Sequence, residues 1–71
     1  MTLSTERVRV DLEDRIATVT LDDPERRNAL DVPFALEIDA VFRQLEEHDC
    51  RAVVVTGAPP AFCAGADLSH L

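Results

Sequence analysis

The hydrophobic period of this chain changes twice along its length, and that succession restricts it to a mixed α/β unit. Residues 7–13 alternate strictly, with Val8, Val10 and Leu12 on one side and Arg7, Arg9, Asp11 and Glu13 on the other. This is the pattern of a half-buried strand. A tight turn at Glu13-Asp14 leads to Ile16–Leu21, where Ala17, Val19 and Leu21 face one way and Ile16, Thr18 and Thr20 the other. An antiparallel hairpin is predicted, although its turn lacks the glycine that a type I′ geometry prefers. The period then lengthens. Phe34, Ile38, Val41, Phe42 and Leu45 recur at helical spacing, with Glu37, Asp39, Arg43, Gln44, Glu46 and Glu47 on the other face. An amphipathic helix is expected from about Asp31 to His48, with Asp31 as N-cap and Pro33 in the first turn, where its missing N–H is tolerated. Finally Ala52-Val53-Val54-Val55-Thr56 is apolar on both faces and closes at Gly57. It predicts a strand covered from both sides, reached by a right-handed crossover back to the same sheet.

Seventy-one residues make at most one domain. A domain of this size buries only about 60% of the surface that its unfolded chain exposes. With three Phe and no Trp or Tyr, the core is expected to be thin and aliphatic. The chain carries 14 acidic and 7 basic residues, and every basic residue is an arginine. That balance argues against nucleic acid or an anionic membrane surface as partner. No basic segment precedes an apolar run, so neither a signal peptide nor a membrane span is expected, and a cytoplasmic location is the reading. Cys50 and Cys63 have no companions at metal-ligand spacing and read as small packing residues rather than as a disulfide or a zinc site. His48 and His70 have no nucleophile arranged beside them, and neither is assigned a catalytic role.

Chemistry concentrates at Ala61-Phe62-Cys63-Ala64-Gly65-Ala66-Asp67-Leu68. A glycine followed by alanine and aspartate, after a strand and before a helix can begin, presents a row of backbone N–H groups suited to an oxyanion. The alternative is a plain strand-to-helix turn that needs a small residue, with Asp67 as a capping or dipole group. A second candidate is Arg26-Arg27, the only adjacent basic pair, in the loop Asp22–Asn28. It reads either as an anion contact or as a solvated cluster balanced by Asp22, Asp23 and Glu25.

Three pieces in order resemble the crotonase superfamily, the enoyl-CoA hydratase/isomerase family. They are Ala17-Thr18-Val19-Thr20-Leu21-Asp22-Asp23-Pro24 running into Arg27-Asn28-Ala29-Leu30, then Arg51-Ala52-Val53-Val54-Val55-Thr56-Gly57, then the glycine segment. The resemblance covers nearly everything from Arg15 to Leu71. It implies an α/β fold of repeated ββα units, with the first repeat and the start of the second present in residues 1–71, the N-terminal portion of such a domain. It also implies an acyl-CoA thioester as ligand, with coenzyme A entering as part of the substrate and no separate cofactor or metal. In the family the residue after the motif glycine donates its backbone N–H to the thioester oxygen, a position that falls on Ala66. Ala64, Gly65, Asp67 and Leu68 would line the CoA region, and Arg26, Arg27, Ala29 and Leu30 match the loop on its other side.

Hydration of a 2-enoyl-CoA is the commonest activity that the resemblance implies, beside isomerisation, hydrolysis, dehalogenation and decarboxylation. Family members are several times longer, and their second oxyanion donor and their acid/base carboxylates come from segments beyond the position of Leu71. No general acid or base is therefore assigned, and the chain alone is expected to be inactive. Full-length members are expected to be homo-oligomers. The competing reading is a non-catalytic protein that pairs with a partner chain through an exposed sheet edge, or that is unfolded alone.

Overall fold

The computed structural model describes residues 3–65. Three strands and one helix follow one another as β1 (Val8–Glu13), β2 (Ile16–Leu21), α1 (Val32–Leu45) and β3 (Ala52–Gly57), with a 3₁₀ turn at Pro24–Arg26 before the helix. The strands form one mixed sheet in the order β1-β2-β3. β1 runs antiparallel to β2 with Val10 opposite Val19, and β3 runs parallel to β2 with Val55 opposite Val19. The α/β architecture and the hairpin agree with the alternation read from the sequence.

The hairpin turn lies one residue further on than expected, at Asp14 and Arg15, which have φ of 53° and 65°. Positive φ at both central residues is what a type I′ turn demands, because its twist matches that of the flanking strands. Without glycine the two residues bear a steric cost, and anchors outside the turn offset it. The Arg15 carbonyl accepts from Arg51 N–H, and its guanidinium donates to the Asp49 carboxylate at 2.8 Å.

Pairing places Val8, Val10, Ala17, Val19 and Leu21 on a single face, and α1 lies against it with Phe34, Val41 and Leu45 buried. Burying side chains of this size contributes about 1.5–3 kcal/mol each, so this one interface supplies most of the folding drive. The helix starts where expected: Asp31 accepts from Phe34 N–H at 2.8 Å. It stops at Leu45 rather than near His48, and Glu46–His48 continue only as turns. Cys50 and Cys63 are free thiols packed against the core. The Asp39–Arg43 pair, at 2.7 Å, is spaced four apart on the exposed face of the helix and is screened by solvent.

The reading of β3 is corrected. Every residue from Ala52 to Thr56 is exposed, and Val53, Val54 and Val55 retain 40%, 49% and 41% of their surface. The helix covers β1 and β2, and among the described residues no layer covers the face that carries Val54. An apolar run records that a strand is compatible with burial on both faces, but the cover has to come from chain placed there.

Arg7 differs most from its sequence reading. Alternation assigned it to the wet face, yet its side chain keeps only 18% of its surface. It precedes β1 and spans the open end of the helix. It donates to Glu37 at 2.9 Å and contacts Asp31 and Asp23 at 3.3 Å, with its guanidinium 4.8 Å from the centre of the Phe34 ring. Thr5 Oγ1 and Arg7 N–H also donate to Glu37. The Asp31 carboxyl is held below the usual range chiefly by the Phe34 N–H and then by Arg7. For Glu37, burial pushes the pKa up, but donation from Thr5 and Arg7 outweighs it and the net shift is downward. Depressed carboxylates bind protons more weakly in the folded chain than in the unfolded one. Their contribution is therefore complete above the ordinary carboxylate range, about pH 4, and is lost as pH falls through the lower folded values. Urea midpoints should be flat from neutral pH down to about pH 5 and drop steeply below about pH 4. Glu37→Gln should make the drop shallower, and an equally steep drop in that variant would remove Glu37 from this account.

Candidate functional site at the carboxyl ends of the parallel strands

β2 and β3 are parallel and in register, with Leu21 opposite Gly57, so the loops that follow them leave the sheet together. Ala58 N–H donates to the Leu21 carbonyl at this edge. In open α/β sheets, ligands bind beyond such carboxyl ends. Here the edge bears the Asp22–Leu30 loop on one side and the Ala58–Gly65 segment on the other.

The first loop turns back on itself. Asp23–Arg26 make a tight 3₁₀ turn, then Arg27 and Asn28 take consecutive left-handed conformations with φ of 54° and 57°. The second segment is drawn against it by main-chain bonds: Ala64 N–H donates to the Arg27 carbonyl at 3.0 Å, and Leu30 N–H donates to the Gly65 carbonyl at 2.8 Å. Arg27, Leu30, Ala64 and Gly65, all singled out from the sequence, are thereby brought together, with half-buried Ala29 between the first two. Gly65 has φ of 96°, and the space where a Cβ would sit is open. The glycine is required by backbone conformation rather than by crowding. Ala66, Asp67 and Leu68, the remaining candidates, lie outside the described residues, as does His70.

The two arginines of the basic pair separate. Arg26 Nη1 bonds the Asp31 carboxylate at 2.9 Å, a balance struck with the helix cap rather than with neighbouring loop acids. Arg27 is exposed, and among the described residues no carboxylate pairs with it. Of the two it is the cation available to an anionic ligand. A surface groove that shares Asp23, Glu25 and Arg26 with this loop, and is also lined by Glu6, Asp31 and Glu37 with Arg7, has an acidic excess and does not suit one.

Sequence reasoning gave Asn28 no role beyond its place in a motif. It is fully buried. Its Nδ2 donates to the carbonyls of Ala61 at 2.8 Å and Phe62 at 3.0 Å, with Ala58 O at 3.4 Å, and its Oδ1 accepts from Asp23 N–H at 2.7 Å. The signal that could have found it is an asparagine at the end of a proline-broken loop, since Asn tolerates the left-handed region and bonds locally to backbone.

Comparison with known proteins bears on the family and the fold. A family model described as enoyl-CoA hydratase/isomerase matches residues 11–71. A "Probable enoyl-CoA hydratase" of Mycobacterium tuberculosis is 45% identical over 65 residues, covering 90% of this chain and 25% of that protein. The mitochondrial Delta(3,5)-Delta(2,4)-dienoyl-CoA isomerase of Mus musculus is 40% identical over 60 residues, covering 83% of this chain and 18% of that protein. Among solved structures, the enoyl-CoA hydratase of Mycobacterium avium superposes with a TM-score of 0.85 at 37% identity, covering 93% of this chain and 30% of that one. The sheet and helix described above therefore form a crotonase-type α/β unit. The chain belongs to the enoyl-CoA hydratase/isomerase family, and it spans about a quarter of the length of the M. tuberculosis relative.

Proposed function

We propose that this chain supplies the CoA-facing N-terminal portion of an enzyme acting on acyl-CoA thioesters, with 2-enoyl-CoA hydration as the reaction. The observation that carries the reading is the juxtaposition of the Arg27–Leu30 loop with Gly65 through the Leu30–Gly65 bond. One side offers a guanidinium that no carboxylate among the described residues pairs with, for phosphate, and the other ends at the residue that precedes Ala66 in the sequence. That N–H is the donor for the thioester oxygen in this proposal, with Ala64, Asp67 and Leu68 along the pantetheine and adenine. A fixed backbone donor acts on the negative charge that develops on the oxygen, and losing one such donor costs about 2.7–4 kcal/mol of transition-state stabilisation. The acid/base groups are contributed by chain beyond this unit, so residues 1–71 bind ligand without turning it over. Coenzyme A enters with the substrate, and the working assembly is a homo-oligomer in the cytoplasm.

The test is thermal unfolding with a CoA thioester. A ligand that binds only the folded state, at about ten times its Kd, stabilises that state by about 1.4 kcal/mol, which raises Tm by several degrees. Arg27→Glu removes a charge-assisted bond to phosphate and should weaken binding about tenfold or more. Equal Tm shifts for the parent and Arg27→Glu chains would remove Arg27 from the site.

A second reading is favoured by the exposure of Val53, Val54 and Val55. On it the unit is non-catalytic and its β3 edge pairs with a family-length chain. Sedimentation with a full-length relative separates the readings, since a stable complex without ligand supports the second.

A further inference from the structure

The two walls of the candidate cleft come from separate parts of the chain, and a single buried side chain reaches both. Asn28 is anchored in the first wall by its own N–H to the Asp23 carbonyl at 2.9 Å and by its Oδ1 to the Asp23 N–H. Its Nδ2 points into the second wall, where it donates to the carbonyls of Ala61 and Phe62 at the shorter distances. Few side chains meet these requirements together. The position needs one acceptor, two donors on a planar group and a backbone that accepts φ of 57°. Aspartate of the same shape would present an oxygen to carbonyl oxygens, and glycine would keep the backbone but bridge nothing.

The link acts just before the functional segment. Phe62 is three residues from Gly65, and the next anchors along the chain are Ala64 N–H on the Arg27 carbonyl and the Gly65 carbonyl on Leu30. Both main-chain bonds follow, along the chain, the two carbonyls that the Asn28 carboxamide holds. We infer that Asn28 is a positioning residue. It sets the spacing between the Arg27–Leu30 loop and the Gly65 segment, and through that spacing the fit of an acyl-CoA thioester. The last clause rests on the acyl-CoA reading, whereas the spacing itself does not.

Amide hydrogen exchange resolved by NMR, on the parent chain and on Asn28→Gly and Asn28→Asp, tests the spacing. Ala64 and Leu30 amides should exchange about tenfold or more faster in both variants, while ladder amides of β1 and β2 change far less, because opening is local. Unchanged Ala64 and Leu30 rates, or rates that rise by the same factor as the ladder amides, would overturn the inference. Asn28→Gly keeps the experiment decisive should the buried carboxylate unfold the chain. Acetyl-CoA titration of the same samples tests the functional half. Weakening of about tenfold in Asn28→Gly supports it, and equal affinity overturns it. A parent chain that ignores acetyl-CoA while its Ala64 amide responds to Asn28 would leave the spacing in place and remove the acyl-CoA reading.

Discussion

Arg7→Ala should lower the stability of the folded unit by about 3 kcal/mol, the range for removing one partner from a buried ionic cluster. The cost comes less from the ion pairs that disappear than from the carboxylates that stay behind. Asp31 and Glu37 keep 5% and 20% of their side-chain surface and would lose the guanidinium that faces both. The Phe34 ring would also lose the cation above it, worth about 0.5–2 kcal/mol depending on desolvation. Arg7→Lys should recover only part of the loss, because an ammonium is a compact charge and cannot span Asp23, Asp31 and Glu37 as the planar fork does. Urea denaturation of both variants at neutral pH checks this. Stability within about 0.5 kcal/mol of the parent for Arg7→Ala would show that the cluster is solvated and weak, as exposed pairs are. Removing the charge left behind as well, in Arg7→Ala with Glu37→Gln, keeps an acceptor for Thr5 Oγ1 and the residue-7 N–H and should restore part of the loss.

Gly57→Ala should cost about 2 kcal/mol, within the range for overpacking. A Cβ built on Gly57 would lie 2.5 Å from the Phe62 carbonyl oxygen, 2.6 Å from Phe62 Cα and 2.8 Å from the Ala61 carbonyl oxygen. All three are backbone atoms, and both oxygens are acceptors of Asn28. Relief of the clash therefore requires the 61–62 segment to move off the carboxamide. The substitution should lower stability and displace the Gly65 segment together, read as a falling urea midpoint and faster exchange at the Ala64 amide. Loss of stability with Ala64 exchange unchanged relative to β2 would mean that the strand gives way instead of the loop.

These two residues illustrate what could be read in the sequence. Local periodicity sufficed for β1, β2 and α1, because each buries a face whose spacing is set within a few residues. The Asp31 cap was legible for the same reason, since its partner is Phe34. Arg7 was not, because its partners at 23, 31 and 37 meet only after the helix folds back on the hairpin, and alternation alone assigns it to water. For β3 the apolar run was legible but its cover was not, since cover is a property of neighbours.

The site divides along the same line. Gly65 was legible from its motif, and its positive φ accounts for the residue. The Arg26-Arg27 pair was legible as a charge cluster, but which arginine was committed depended on Asp31 turning its carboxylate toward Arg26. Asn28 carries no periodicity and no charge, so its burial among three carbonyls emerged only with the tertiary structure.

The central claim is that the loop at Arg27–Leu30 and the segment at Ala64–Gly65 form one face of an acyl-CoA site. Its most direct test is an NMR titration of the folded chain with a CoA thioester, following backbone amides residue by residue. The account predicts saturable shifts concentrated at Arg27, Leu30, Ala64, Gly65 and Ala66, with the Asp14-Arg15 turn unmoved. A folded chain whose shifts fall elsewhere, or do not move at millimolar thioester, would contradict it.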